Sequence, residues 1–402
     1  MNMINVRRLA VMTFLGAGML SDISAQDFSL QADTLNEARL PAQWDLQSCI
    51  DYALEQNITI RKNRVTAEST QIDVKTAKAA LFPSLSFSTS QQVVNRPYQE
   101  TSSRVSGSEI ISSNSKTSYN GNYGLNASWT IYNGSKRLKT LKQERLNNQV
   151  AELDVATSEN TIKESIAQIY IQILYAAESV RVNENTLQVS IAQRDRGQEL
   201  LNAGSIAKSD FAQLEAQVST DRYQLVTAQA TLQDYKLQLK QLLELDGENE
   251  MNVYLPKLSD ENVLAPLPAK KDVYVSALAI RPEIEASKLN VEASELGIDI
   301  AKSSYFPTIS LSAGIGTNHT SGSDFTFGEQ VKNGWNNSIG LSVSVPIFNN
   351  RQTKSAVQKA KLQRETDMLS LLDEQKALYK TSKVFGWTQT AHNNVMRQPT
   401  KN

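Results

Sequence analysis

The chain has 402 residues, 41 Lys+Arg against 42 Asp+Glu, 40% hydrophobic residues, one Cys and two His. A formal net charge of -1 removes the basic field of a nucleic-acid binder, one cysteine excludes an intramolecular disulfide framework, and His319 and His392 stand outside any metal-ligand spacing. Mean hydropathy is -0.38 and no long apolar run follows residue 25, so no membrane-spanning helix is expected; a transmembrane β-barrel escapes that test because its strands alternate.

Residues 1–25 read as a signal peptide: Arg7 and Arg8, an apolar run from Leu9 to Leu20, then the small pair Ser24-Ala25. Apolar residues at Leu46, Ile50, Ala53 and Leu54 suggest a short helix, on which Cys49 reads as a buried small hydrophobe. A second helix runs to about Leu81, where Phe82-Pro83 breaks it. Leu85 and Phe87 then alternate with Ser84, Ser86 and Ser88, the period of a two-faced strand. Residues 101–118, with eight serines, read as a mobile external loop. Tyr123, Leu125, Ala127, Trp129 and Ile131 alternate with Gly124, Asn126, Ser128 and Thr130 in a second strand.

After Gly134 the period changes. Val155, Ile162, Ile169 and Ala176, interleaved with Ile166, Ile173, Val180 and Leu187, form a coiled-coil seam. Ser135 to Leu201 is 67 residues, about 100 Å as a helix. Asn202-Ala-Gly204-Ser205 is a stop and turn. A second seam follows in Phe211, Val218, Leu225, Leu232 and Leu239, interleaved with Leu214, Ala228, Tyr235 and Leu242, so the pair reads as a long antiparallel hairpin. Asp221 interrupts that seam; of a register-setting and a water-facing position, the second is preferred. Residues 246–271, with Pro256, Pro266 and Pro268, read as a connector.

The plan then repeats. A shift of 224 places Ala53–Ser88 on Ala277–Ser312 with ten identities in 36, and a shift of 216 places Tyr123–Gly134 on Ile339–Asn350 with five in 12. Phe306-Pro307 repeats the helix break. Ile309, Leu311, Ala313 and Ile315 alternate with Ser and Gly, and Ile339, Leu341, Val343, Val345 and Ile347 with Gly340, Ser342, Ser344 and Pro346, while 317–334 read as another polar loop. The organisation expected is thus a signal peptide (1–25), a first repeat (26–245), a connector (246–271) and a second, incomplete repeat (272–402) with an atypical tail (381–402). Copy two lacks about 59 residues relative to copy one, and Gly386, Asn393, Asn394 and Pro399 make the tail a poor helix; a truncated or frame-shifted product ending near Lys380 is the expectation.

Ser and Gly opposite an apolar face suit the wet lumen of a barrel with lipid outside, and Trp129, Tyr132, Trp335 and Phe348 suit an aromatic girdle; a soluble sheet with one buried face is the alternative. Four strands are too few to close a barrel, and open edges in lipid are costly, so copies of the chain must pool strands. The fold class is therefore mainly α: long helical hairpins as a tunnel wall, plus four strands per chain in a shared membrane barrel.

The Ala53-Leu54-Glu55-Gln56-Asn57 run, the breaks at Pro83 and Pro307, the duplicated helix–strand–strand–helix plan and the turn from Gly204 to Asp210 resemble the TolC family of outer-membrane efflux proteins, over about 45 to 380. The resemblance implies a homotrimer in outer-membrane lipid with a periplasmic α-helical tunnel. It implies the exit duct of a tripartite pump or type I secretion system, docking a periplasmic adaptor and an inner-membrane transporter of the RND or ABC class. It also implies that Gly204, Ser205, Ile206, Ala207, Lys208 and Ser209 form the adaptor-contacting turn, and that Asp210 sits at the constriction as a gate residue. Asp210 with Gln213 also reads as a helix N-cap, and Leu200 stands where the family often carries a basic residue. No cofactor, metal or nucleic acid is expected, and no catalytic motif appears. The rival reading is a coiled-coil scaffold or adhesin without a pore.

Overall fold

The computed structural model describes residues 41, 43–98, 102–106, 109–113, 116–246, 251–255, 270–321 and 325–396; the signal-peptide reading of 1–25 and most of 246–271 lie outside them. Helix α1 (Leu46–Gln56) starts at Asp45, whose Oδ1 accepts from Ser48 N at 2.7 Å. Asn57 separates it from α2 (Ile58–Ala79): its Oδ1 accepts from Thr59 N at 2.9 Å, and its Nδ2 donates to Leu242 O at 3.0 Å. One buried amide thus caps the second helix and satisfies a carbonyl at the end of another.

Strand β1 (Ser84–Asn95) follows Pro83, then the pair β2 (Ser102–Ser106) and β3 (Glu109–Ser113), then β4 (Thr117–Asn133). The segment read as a polar loop therefore carries a hairpin of its own. Helix α3 (Lys136–Asn202) is 67 residues long, Gly204 turns the chain at φ +70°, and α4 (Lys208–Leu242) returns along it. The second copy supplies α5 (Lys270–Ile280), α6 (Pro282–Ser303), β5 (Thr308–Thr320), the short α7 (Phe327–Asn333), β6 (Asn336–Ser344) and α8 (Gln352–Met396). Helix α7 lies inside the second expected loop, and Thr326 and Glu329 cap it reciprocally. Strand β6 stops before Pro346, which has no N–H to donate, and its partner β5 starts just after Pro307. Helix α8 continues to Met396, into the tail read as a poor helix: once a helix is formed, one Gly386 costs only about 1 kcal/mol.

The strands form one antiparallel sheet in the order β1-β4-β5-β6; β2 and β3 pair separately. Helix α3 packs against α2, α4 and α6, and α6 is held between α3 and α8. The main core lies where α1, the start of α2, the middle of α3 and the end of α4 meet: Cys49, Ala53, Ile60, Ile166, Ile173, Leu239 and Leu243. Residues 251–255 strap it beside Trp44, with Trp44 N donating to Asn252 O and Tyr254 N to Trp44 O, both at 2.8 Å, and Tyr170 OH to Tyr254 O at 2.5 Å. Burial pushes the Cys49 thiol up to about 12.

In the hairpin, a Cβ on Gly197 would come within 2.4 Å of Leu214, so the small residue lets the helices approach. One heptad further from the turn on each helix, Ser190 and Asp221 are both buried. Asp221 therefore does not face water; it is 4% exposed and accepts from Gln217 Nε2 at 2.9 Å. A one-turn neighbour supplies the donor that makes its burial tolerable.

Candidate pore-forming sheet and hairpin tip

The sheet has two chemically distinct faces carried in register across four strands. Ser84, Ser128, Ser312 and Gly340 form one row; Ser86, Asn126, Gly314 and Ser338 the next; Ser88, Gly124, Gly316 and Asn336 a third. On the opposite face the rows are Leu85, Ala127, Ala313 and Ile339, then Phe87, Leu125, Ile315 and Asn337. Hydroxyls and amides bond across the polar face: Ser84 Oγ lies 2.8 Å from Ser128 Oγ, and Asn126 Nδ2 donates to Ser88 Oγ at 3.3 Å. Not one Asp, Glu, Lys or Arg occurs in β1, β4, β5 or β6, in a chain that is 21% charged. An ordinary solvated sheet face carries Lys and Glu, so this face meets water without acting as a general surface.

The apolar face is uncovered. Leu85 is 70% and Ile339 79% exposed, and Phe87, Leu341 and Val343 are likewise exposed. Among the described residues, both outer strands, β1 and β6, have a free edge. A contiguous apolar face of this size with two unpaired edges requires lipid or partner chains.

The joints between strands and helices are built alike in the two copies. Gly134 and Ser135 both have positive φ (67° and 64°), as do Asn350 and Arg351 (50° and 64°), 216 positions later. Two successive left-handed residues swing the chain from strand into long helix. At Phe82 and Phe306 the tightening final turn is also shared, with N–H groups donating to Ala79 O and Ser303 O. The first joint is locked onto the second copy: Ser303 Oγ donates to Gly134 O at 2.9 Å, and a Cβ on Gly134 would meet Ser303 O at 2.7 Å. Arg137 Nη1 donates back to Thr130 O at 2.7 Å, and Trp129 Nε1 to Leu81 O at 2.8 Å. Sequence alone pointed to Trp129 and the Pro breaks; the paired left-handed joints and Arg137 carried no pattern that would single them out.

At the other end of α3 and α4 lies the tip. Gly204, Ser205, Ile206 and Ala207 form the turn; Lys208, Ser209 and Asp210 are the first residues of α4. Asp210 is not the N-cap. Ala207 holds that position, and Asp210, three residues in, accepts from Ala207 N at 3.4 Å and from Ser209 Oγ at 3.4 Å. Its carboxylate is exposed and satisfies a helix N-terminus, where negative charge is favoured.

A sequence profile described as outer membrane efflux protein matches residues 49–244 and 273–381, three quarters of the chain. The chain belongs to the outer membrane efflux protein family. Among curated members it is similar to the outer membrane efflux protein BepC of Brucella suis, 28% identical over 207 residues, 51% of this chain and 42% of that protein. It is also similar to the outer membrane protein TolC of Escherichia coli, 26% identical over 250 residues, 59% of this chain and 48% of that one. The fold is shared with CusC, at a TM-score of 0.72 and 18% identity over 88% of this chain and 77% of that one. The chain spans about half the length of these two curated relatives. As a family member it is an outer-membrane protein, and the mostly helical architecture with four antiparallel strands is the family's.

Proposed function

We propose that this chain is the exit duct of a tripartite efflux or type I secretion system, passing what an inner-membrane transporter of the RND or ABC class delivers through a periplasmic adaptor. Three copies would pool twelve strands into one barrel, the apolar face toward lipid and the Ser/Gly/Asn face lining the lumen. The observation that carries this is the pair of free edges together with the internal repeat. Strand β6 repeats β4 and β1 repeats β5, so the β4–β5 junction is a template for joining β6 to β1 of a neighbour.

The helices carry the same argument. Leu362 and Leu369 on α8 are 63% and 61% exposed, whereas Leu146 and Leu153, 216 positions earlier on α3, are half-buried. Helix α3 has α2 on one side and α6 on the other, while among the described residues α8 packs mainly on its copy-two neighbours, α5 and α6. The exposed stripe Ile58, Val65 and Ile72 on α2 belongs against α8 of an adjacent copy. The turn from Gly204 to Ser209 is proposed to meet the adaptor, and the three Asp210 carboxylates to ring the periplasmic constriction.

Outer-membrane fractions test the proposal. Heat-modifiable trimers, and drug sensitivity or loss of secretion on deleting the gene, are the expected results. A water-soluble elongated monomer would instead establish the scaffold reading and end this one.

A further inference from the structure

The layer where strands give way to helices is strongly basic. Within residues 72–83, 134–142, 296–307 and 348–358, the ends of α2 and α6 and the starts of α3 and α8, there are nine Lys or Arg against two Asp and no Glu. A chain of net charge -1 thus concentrates +7 in one collar, directly beside strands with no charged residue. Three of the nine have internal work: Arg137 bonds Thr130 O, and Lys139 pairs with Asp299 at 3.6 Å. Lys302 also pairs with Asp299, at 3.2 Å. The remaining six, Lys75, Lys78, Lys136, Lys142, Arg351 and Lys354, are exposed, and among the described residues none has a carboxylate within 4.0 Å.

Three of the six, Lys136, Lys142 and Arg351, adjoin apolar side chains that are exposed among the described residues. Arg351 follows Ile347 and Phe348, which are 96% and 83% exposed, and Lys136 follows the exposed Ile131 and Tyr132. Leu138, also exposed, shares a helix face with Lys142 one turn on. Apolar groups left open beside flexible cationic side chains suit the boundary of hydrocarbon and headgroups, where lysine stems lie along the apolar zone and the ammonium reaches outward.

We infer that this collar binds the phosphate headgroups of anionic phospholipids in the leaflet on the helical, periplasmic side, anchoring the protein at a fixed depth. The inference rests on the reading of the sheet as part of a membrane barrel. Basic clusters immediately beside a membrane segment recruit anionic lipid, and their effect weakens with salt.

The full chain, purified in detergent, is exchanged into mixed micelles with equal phosphatidylglycerol and phosphatidylcholine, and the lipid retained after gel filtration is quantified by mass spectrometry. Phosphatidylglycerol is expected to be enriched about tenfold. The enrichment should be lost in a variant carrying K78Q, K136Q, K142Q and K354Q and kept when the same four become Arg, with both variants matching the parent in helical circular dichroism. Equal retention of the two lipids, or enrichment that survives the Gln variant, overturns the inference. Displacement of the lipid by inorganic phosphate, but not by sodium chloride of the same ionic strength, would assign the collar to a free anion and overturn it too. Flotation with pure phosphatidylcholine vesicles separates the two readings: a chain that floats but shows no anionic preference sinks the collar alone, and one that does not float sinks the membrane reading with it.

Discussion

The internal repeat fixes the register of a junction that a single chain cannot display. Ser128 pairs with Ser312 across β4 and β5; moving the first forward by 216 and the second back by 224 predicts that Ser344 of one copy faces Ser88 of the next. Both are serines on the polar face, so S88C with S344C changes one atom at each site. Directly opposed residues have Cβ atoms about 4.5–5.5 Å apart and diagonal ones about 7–8 Å, and a disulfide tolerates only the shorter separation. The double variant, mildly oxidised in isolated membranes, should therefore give dimer and trimer bands on non-reducing gels. The control pair S86C with S344C, offset by two residues, should give few. The native thiol does not confuse the assay, because Cys49 is fully buried. Bands from the control but not from S88C with S344C would refute the register, placing it two residues away with the same face inward. No bands from either would count against strand pooling itself.

Three further outcomes follow from the geometry. Cys49, buried and pushed up to about 12, should resist alkylation in the folded protein at about pH 8, where an ordinary thiol near 8.5 reacts, and label fully in guanidinium; rapid native labelling would contradict the core at α1. Gly134→Ala should destabilise by about 2 kcal/mol or more, combining a left-handed backbone with the clash at Ser303 O, whereas Gly204→Ala, left-handed but with open space around it, should lose only about 1 kcal/mol; equal denaturation midpoints would refute the distinction. The Lys302 hydrogen bond, then Lys139, holds the Asp299 carboxyl below 3.8, so its contribution is present above that pH and vanishes as pH falls through the lowered value. Asp299→Asn should therefore lower the urea midpoint slightly at about pH 7, by less than 1 kcal/mol for so exposed a group, and the gap should close by about pH 2; a gap unchanged with pH would assign the loss to packing.

Period, breaks and repetition were legible because each is a local physical preference. Alternation marked β4 and β5, Pro83 and Pro307 marked where helices yield to strands, and the heptads of α3 and α4 met as a hairpin of the expected length. What escaped depended on distant partners. Asp221 is buried because α3 lies across its face, a fact absent from its own helix. Asp210 lost the N-cap position to Ala207, since the turn begins the helix three residues earlier than side-chain preference alone indicates. Helix α7 did carry its signal, Thr326 with Glu329 three residues on, inside a stretch whose Gly, Asn and Ser content spoke for a loop. The collar was divided among four separate segments, and only their convergence at one depth brings the charges together.

The absence of any carboxylate, ammonium or guanidinium along β1, β4, β5 and β6 has a last corollary. In the proposed barrel, the wall made by these strands then holds no fixed carboxylate or cationic charge of its own. Any discrimination between cations and anions by the proposed duct must then come from residues outside these four strands, in the helices or the connecting segments.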